Sequence, residues 1–239
     1  ETGKRMRNDG RELDGIRLDS GDLAYLSREA RRLLDESGFP NARIVASSDL
    51  DPETIASLRE QGAAIDTWGV GTRLVTAYDQ PALGGVYKLA AVRKGPQEAW
   101  RMTVKVSADP EKTTVPGILG ARRYYDKAGR AAADMIHDTA SDSEPGDSVV
   151  DPVNPRRRKS IDPSWRQEEL LVPTLRGGEL VTELPDLATS RARAQEQLAS
   201  FHPGVLRRLN PHRYPAGLDI GLHRRREALV ESALEGRVG

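Results

Sequence analysis

The sequence predicts an α/β fold, in which three βα units are followed by a mixed region of strands and helices. Three apolar, strand-like runs in the first third of the chain each end in a cluster of Gly, Ser, Thr and Asp, over residues 15–22, 43–49 and 65–72. A helical pattern separates each run from the next, which is typical of parallel strands joined by crossover helices. Because parallel βα units collect the carboxyl ends of their strands at one edge, we expect the polar residues of the three runs to converge there.

The first domain is predicted to span residues 1–83. Its expected elements are a charged helix tail and loop over 1–12, strands over 13–18, 43–47 and 64–68, and helices over 22–36 and 51–62. Leucines spaced for one buried face predict the first helix, with Ser20 as its N-cap and Gly38 as a stop signal. Asp51 followed by Pro52 is typical of the start of a second helix. Three parallel strands alone leave two open edges, so we expect further strands from residues N-terminal to Glu1.

The second domain is predicted to span residues 84–239 and to be α+β. Strands are expected over 86–93 and 101–106, a hairpin over 122–125 and 131–136, a loop over 138–166, a second hairpin over 170–175 and 179–182, and helices over 185–201 and 217–235. The run 156–159, Arg-Arg-Arg-Lys, is interpreted as a solvated loop rather than a nucleic-acid patch. The four histidines are scattered without the spacing of metal ligands, and we predict no protein metal site.

Composition narrows the class of protein. The chain has 239 residues, of which 37% are hydrophobic and 30% charged, with a mean hydropathy of −0.58. Lys plus Arg and Asp plus Glu both total 36, and this balance argues against a nucleic-acid partner. No apolar run approaches the length of a transmembrane helix, which argues against a membrane partner. The absence of cysteine excludes disulfides, thiolate metal sites and a Cys nucleophile, and is compatible with the cytoplasmic location that we expect.

Arg17 and Asp19 are the first candidates for chemistry. They are two residues apart in a predicted strand and therefore point to the same face, which in a barrel is the interior. A buried Arg beside a buried Asp is costly unless each is paired or binds something. One interpretation is a binding pair. The alternative is a structural ion pair, with Ser20 and Asp22 capping the following helix.

The second and third runs add hydroxyls and backbone amides. Ser47 and Ser48 lie at a strand end, where they could hold a ribose or a phosphate, although an ordinary turn also has this pattern. The loop 69–72, Gly-Val-Gly-Thr, includes Gly71 and Thr72 and is suited to an anion, since glycines allow backbone amides to approach closely. The alternative is a tight βα turn. Together the three loops suit a phosphorylated sugar with a metal ion.

Three sequence segments resemble the nicotinate phosphoribosyltransferase family. They are Gly-Ile-Arg-Leu-Asp-Ser-Gly-Asp-Leu over 15–23, Ile-Val-Ala-Ser-Ser-Asp-Leu-Asp over 44–51, and Trp-Gly-Val-Gly-Thr over 68–72. The resemblance continues through Lys-Val-Ser-Ala-Asp-Pro over 105–110 and covers nearly the whole chain. It implies the last βα units of a partial type II phosphoribosyltransferase α/β barrel, followed by the α+β region. A nicotinamide-using relative is the nearest alternative within the same superfamily.

The resemblance also implies an activity and the residues that carry it. Family members join nicotinate to phosphoribosyl pyrophosphate, giving nicotinate mononucleotide and pyrophosphate in NAD salvage, with ATP as a co-substrate and Mg²⁺ as a cofactor. Arg17 would contact nicotinate, and Thr72 would contact phosphoribosyl pyrophosphate. Asp19, the expected catalytic residue, would line the ribose–phosphate pocket with three others: Ser47, Ser48 and Gly71. Ser48 departs from the family, which commonly has Asn there.

The resemblance further implies that part of the enzyme lies elsewhere. The family's phosphorylated His and the aromatic that stacks on the pyridine belong to an N-terminal half, and no His here lies in a matching motif. We therefore expect this chain to be a C-terminal half that is inactive alone and needs that half or a homodimer partner. The alternative from another class is a non-catalytic fragment or split subunit that only associates with an N-terminal half.

Overall fold

The computed structural model describes residues 1–82, 84–141 and 144–236. The chain forms two compact units, Glu1–Val86 and Tyr87–Gly239. Leu83, at which the first predicted domain ends, lies outside the described residues, as do Asp142 and Ser143 of the predicted 138–166 loop.

The first unit alternates helices and short parallel strands. Its elements are α1 (Thr2–Asn8), β1 (Gly15–Leu18), α2 (Leu23–Glu36), β2 (Arg43–Ala46), α3 (Pro52–Glu60), β3 (Thr67–Trp68) and α4 (Thr72–Val75). The sheet order is β1-β2-β3, and both pairings are parallel. The predicted order of strands and helices is therefore confirmed, although β3 is shorter than expected.

The central strand β2 anchors the core of this unit. Ile44 and Ala46 have no exposed surface, since they alternate with Arg43 and Val45 and point to the same face of the sheet. Ala46 packs with Leu23 of α2 and Leu58 of α3 in one hydrophobic cluster. The apolar faces of α2 and α3 therefore pack against the sheet in one shared core.

Side-chain caps set where the two longer helices begin. Asp51 caps α3 as predicted, and its carboxylate accepts a hydrogen bond from the Thr54 amide at 2.7 Å. The predicted Ser20 cap of α2 is wrong, because the Asp22 carboxylate accepts from the Tyr25 amide at 3.0 Å. Gly21 turns the chain with a φ of 80°, and Ser20 lies two residues before the N-cap Asp22, too early to cap the first helical amides.

The described part of the second unit contains three sheets and two α-helices. Its elements are β4 (Ala91–Val92), β5 (Arg101–Met102), a 3₁₀ turn (Pro110–Lys112), β6 (Leu119–Tyr125), β7 (Ala131–Asp138), β8 (Ser148–Val150), β9 (Arg158–Ser160), β10 (Arg166–Glu169), β11 (Leu175–Arg176), β12 (Glu179–Leu180), α5 (Leu187–Ser200), β13 (Ala216–Asp219) and α6 (Ile220–Leu234). The main sheet has the order β10-β6-β7-β13-β8-β9. It is mixed, because β13 pairs parallel with β7 and antiparallel with β8.

The β6–β7 hairpin is confirmed, whereas the strands around it differ from the prediction. The expected loop over 138–166 contains β8 and β9, and residues 216–219 form β13 before α6 begins. Polar composition hid β9, which pairs with the nearby β8, and β8 in turn joins the main sheet through β13, which lies far along the chain. Gly217 permits the tight packing of β13, since a Cβ there would lie 2.2 Å from the Val150 carbonyl oxygen. The strands expected over 86–93 and 101–106 shrink to β4 and β5, and residues 170–174 are not a strand.

Within the described residues, no helix combines the length and apolar character needed to cross a bilayer.

A buried hydroxyl ties α2 to the segment that enters β3. Ser27 has no exposed surface; its Oγ donates to the Ala24 carbonyl and accepts from the Ala64 amide, both at 3.1 Å. We expect Ser27→Ala to lower the free energy of unfolding of the first unit by about 1–3 kcal/mol, because the Ala64 N–H loses its acceptor. Ser57→Ala, at an exposed position of α3, is the control and should change it by less than about 0.5 kcal/mol. Equal denaturant midpoints for Ser27→Ala and the wild type would contradict this role.

Candidate functional site

The carboxyl ends of the three strands in the first unit are adjacent. Leu18 pairs in register with Ala46, and Ala46 pairs with Trp68. The segments that follow, 19–22, 47–49 and 69–72, therefore begin side by side at one edge of the sheet. The convergence expected from the sequence is present, and this edge is the candidate site.

Three side chains form a connected cluster at the edge. Arg17 Nη2 donates to Asp19 Oδ2 at 3.0 Å, and Ser47 Oγ donates to Asp19 Oδ1 at 2.5 Å. Asp19 thus uses both oxygens to join the end of β1 to the end of β2. A carboxylate that accepts two hydrogen bonds is held in one orientation, which positions its charge.

The Arg17–Asp19 pair is open to solvent, contrary to the buried pair expected for a barrel interior. The side chains of Arg17 and Asp19 are 65% and 56% exposed. Ion pairs at such positions contribute only about 0–1 kcal/mol to stability. A purely structural role therefore explains little of this arrangement, and the site is accessible to a ligand.

Arg17 retains donors for a further partner. Of its guanidinium nitrogens, only Nη2 donates a hydrogen bond within the described part of the chain. Nε and Nη1 are left for a planar acceptor such as a carboxylate, which Arg can grip through two parallel hydrogen bonds.

The second loop has an unusual backbone. Ser48 and Asp49 have φ values of 111° and 41°, in the region that favours glycine. Non-glycine residues with such angles cost about 1–3 kcal/mol each and cluster at ligand sites. Ser48 is exposed, so the turn directs it to solvent at the strand edge rather than into the core.

The third loop lies against the second. The Gly69 amide donates to the Ala46 carbonyl at 2.8 Å, and a Cβ on Gly69 would lie 3.3 Å from the Ser47 Cβ. Gly71 is the N-cap residue of α4, and Thr72 is the first residue of this helix. Both are exposed, and the Thr72 hydroxyl makes no hydrogen bond within the residues that the structure describes.

One further cation at this edge was missed by the sequence reasoning. Arg73 Nη1 lies 3.8 Å from Asp51 Oδ2, and its guanidinium stacks 4.2 Å from the centre of the Tyr78 ring. These contacts hold a positive charge beside Thr72. The sequence could have indicated this residue, because Arg73 directly follows the Gly-Val-Gly-Thr turn and therefore lies in the first turn of the helix that Thr72 begins.

The edge does not form a protein cage for a metal ion. Among the described residues, no group of three or more His, Asp or Glu side chains could hold one. Asp22 and Asp51 are engaged as helix caps, which leaves Asp19 and Asp49 as the other carboxylates of the three loops. Such a set has too few ligands to enclose a metal ion and suits a Mg²⁺ ion that takes most of its ligands from phosphates and water.

Known proteins similar to this chain include nicotinate phosphoribosyltransferases. Residues 120–225 match the family model for the nicotinate phosphoribosyltransferase C-terminal domain. The Bacillus subtilis enzyme is 40% identical over 209 residues, which are 85% of this chain and 42% of that protein. The human enzyme is 36% identical over 233 residues, or 93% of this chain and 41% of its own length. The chain therefore spans about two fifths of the relatives it matches.

The fold is also similar to that of a solved phosphoribosyltransferase. The crystal structure of human nicotinic acid phosphoribosyltransferase matches with a TM-score of 0.69 and 26% sequence identity, covering 95% of this chain and 42% of that one.

The backbone strain at Ser48 gives a testable consequence. We expect Ser48→Gly to raise the free energy of unfolding of the first unit by about 1 kcal/mol, because glycine adopts the 111° φ without strain. Ser37→Gly is the control, since Ser37 has a φ of −87° and glycine there only adds freedom to the unfolded chain. Denaturant unfolding measures both. A Ser48→Gly variant that loses as much stability as Ser37→Gly would refute the strain.

Proposed function

Since this chain is related in sequence to the nicotinate phosphoribosyltransferases, we propose that its β1–β2–β3 edge forms part of a site that joins nicotinate to phosphoribosyl pyrophosphate. The observation that carries the proposal is the Arg17–Asp19–Ser47 cluster at the shared edge of three parallel strands. The reaction would serve NAD biosynthesis by salvage of the pyridine.

The proposed chemistry is a displacement at the anomeric carbon of the ribose. The ring nitrogen of nicotinate supplies the electron pair for the new C–N bond, and the C–O bond to pyrophosphate breaks with its electrons leaving on the oxygen. Positive charge develops on the ribose, and negative charge develops on pyrophosphate. The site must therefore present anionic oxygen to the sugar and cations or N–H donors to the leaving group.

Arg17 is proposed to bind nicotinate. Its free Nε and Nη1 donors suit the planar carboxylate of the substrate, whereas nicotinamide offers no charge to match. Its salt bridge to Asp19, with a 3.0 Å N–O distance, keeps the guanidinium at the edge of the sheet. This pairing favours the acid over the amide as substrate.

Asp19 and Ser47 are proposed to face the ribose. The Asp19 carboxylate, oriented by Arg17 and by the Ser47 hydroxyl, would stabilise positive charge on the sugar as the bond to pyrophosphate breaks. Mg²⁺, when bound through the substrate phosphates, would neutralise charge on the leaving group. Asp19 is the residue of this chain that would bind the Mg²⁺ ion.

Ser48, Gly71 and Thr72 are proposed to line the phosphate side of the pocket. Thr72 offers a free hydroxyl, and Gly71 leaves room for a phosphate, since no atom lies within 4 Å of the position that a Cβ would take. Arg73, held by Asp51 and Tyr78, would supply positive charge nearby. The helix α4 has four residues and adds little dipole of its own.

The rest of the active site is proposed to come from other residues. Arg17 and Asp19 are more than half exposed, whereas catalysis of this kind needs water to be excluded. In the described sheet, β1 and β3 each pair with one strand only, which suits continuation into an α/β barrel. The same proposal includes an N-terminal half or a second copy of the chain as partner. It also includes ATP hydrolysis as the driving reaction and a cytoplasmic location.

The alternative is a non-catalytic chain that associates with an N-terminal half. The exposed apolar residues beyond α4, among them Val86, Tyr87 and Leu89, favour association with another surface. In that case the chain would bind a partner without binding nicotinate.

The binding role of Arg17 can be tested on the chain itself. We expect Arg17→Ala to weaken nicotinate binding at least tenfold, because a charged hydrogen-bonded pair contributes about 1.5–3 kcal/mol. Arg17→Lys should lose less, since it keeps the charge but not the two parallel donors. Titration followed by ligand-detected NMR would give the dissociation constants. The control is Arg43→Ala, at the opposite end of the same sheet, and equal affinities for Arg17→Ala and Arg43→Ala would exclude Arg17 from the site.

A turnover assay tests whether catalysis needs residues from outside this chain. We expect the purified 239-residue chain to form no nicotinate mononucleotide from nicotinate, phosphoribosyl pyrophosphate and ATP, because its site is open on one side. Product formation followed by chromatography measures this. Turnover with coupled ATP hydrolysis by the chain alone would refute the shared site and would leave the chemistry of the edge supported.

A further inference from the structure

A cationic cavity lies in the second unit, where β8 and β9 meet the segment that enters β13. Its volume is about 420 Å³, within the range of small-molecule sites, and its lining includes the run 156–159, Arg213 and Asp151. Five of these six residues are Arg or Lys, although the whole chain has no net charge. Positive charge is therefore concentrated at this cavity.

Most of that charge is not neutralised. Arg213 Nη2 lies 2.6 Å from the largely buried Asp151 Oδ2. Within the described part of the chain, Arg156, Arg157 and Arg158 form no ion pair with a carboxylate, and Lys159 has only the Trp165 ring, 5.5 Å away. Four consecutive and exposed cations thus line the cavity without an ion-paired carboxylate of their own, which creates a positive potential that attracts an anion.

The backbone under these cations is ordered by specific contacts. The Asp151 carboxylate accepts hydrogen bonds from the Val153 and Asn154 amides at 2.9 and 3.1 Å. These bonds, ahead of the charges of Arg213 and Arg157, hold the pKa of Asp151 below its ordinary value. The Asp151 amide donates to the Arg157 carbonyl at 3.0 Å. The basic run therefore lies partly on a turn and partly on β9, where the sequence predicted a loop throughout. Its four side chains are exposed, as predicted.

Part of the cavity lining is uncharged and mostly apolar. It includes Tyr214, Pro215 and Ala216. The Tyr214 hydroxyl donates to Asp134 Oδ1 at 2.9 Å, and its ring packs edge-on against Phe201 with centroids 5.0 Å apart. Burial and the Asp134 charge raise the pKa of Tyr214 far above its ordinary value, so the phenol keeps its proton. This part of the lining cannot neutralise the cations, but it can contact an organic group.

We propose that this cavity binds the diphosphate group of a small molecule, either free diphosphate or the same group carried by a nucleotide. Arginine forks match phosphate oxygens through paired hydrogen bonds, and the charge of a diphosphate matches the unpaired cations. A concave pocket of about 420 Å³ suits a small anion better than a nucleic-acid strand, which needs an extended basic groove. The proposal rests on the second unit and is independent of the β1–β2–β3 edge.

The test is calorimetric titration of the 239-residue chain with pyrophosphate. We expect saturable binding that weakens at least tenfold in Arg156→Ser/Arg158→Ser. The matched control, Arg176→Ser/Arg191→Ser, removes the same charge from exposed positions and should bind as the wild type does. Arg156→Lys/Arg158→Lys keeps the charge and should retain more affinity than the serine variant, which separates lost binding from lost folding.

A second titration, with a nucleoside triphosphate, identifies the source of the group. Affinity at least tenfold above that of pyrophosphate assigns a nucleotide, and equal affinity assigns free diphosphate. Three results would overturn the proposal: no saturable binding by the wild type, equal loss in the two serine variants, or tighter binding of a single-stranded oligonucleotide. Binding that is lost in Arg17→Ala and kept in Arg156→Ser/Arg158→Ser would also overturn it, while leaving the proposed function supported.

Discussion

The parallel register of β1, β2 and β3 is the constraint on which the candidate site depends. β2 lies in the middle, with Ile44 and Ala46 fully buried, so it cannot slide without moving apolar side chains to the wrong face. The Asp66 carboxylate accepts from the Ile44 amide at 2.8 Å, and the Gly69 amide donates to the Ala46 carbonyl at 2.8 Å. These bonds fix the start and the end of the third strand. With the register fixed, the three polar loops have to begin at one edge.

The side chains at that edge contribute little to holding the fold together. Burial of the cluster around Ala46 and Leu58 stabilises the unit, whereas Arg17 and Asp19 pair in solvent. In the second unit the run 156–159 is likewise exposed, and Val149, which packs with Tyr124 and Met135 in the core, also lines the cavity beside it. Exposed charged groups next to a well-packed core are the arrangement expected of groups that bind ligands.

The sequence predicted the first unit better than the second, for physical reasons. Helical periodicity and cap residues such as Asp51 are local signals, and they located α2, α3 and the strand ends that carry Arg17 and Ser47. β8 and β13 pair with each other across a long stretch of sequence. β9 pairs with the nearby β8, but its residues, among them Arg158, are polar and exposed and so gave no apolar alternation to indicate a strand. The exposure of the Arg17–Asp19 pair was missed because alternation gives the face of a side chain, not what covers that face.

The central claim is that the three loops act as one site. Titration of phosphoribosyl pyrophosphate into the ¹⁵N-labelled chain, followed by amide chemical shifts, tests it most directly. The account predicts that shifts in residues 17–22, 47–49 and 69–72 follow a single binding curve with one dissociation constant. Shifts confined to one of these loops, or saturating at different concentrations in each, would contradict it.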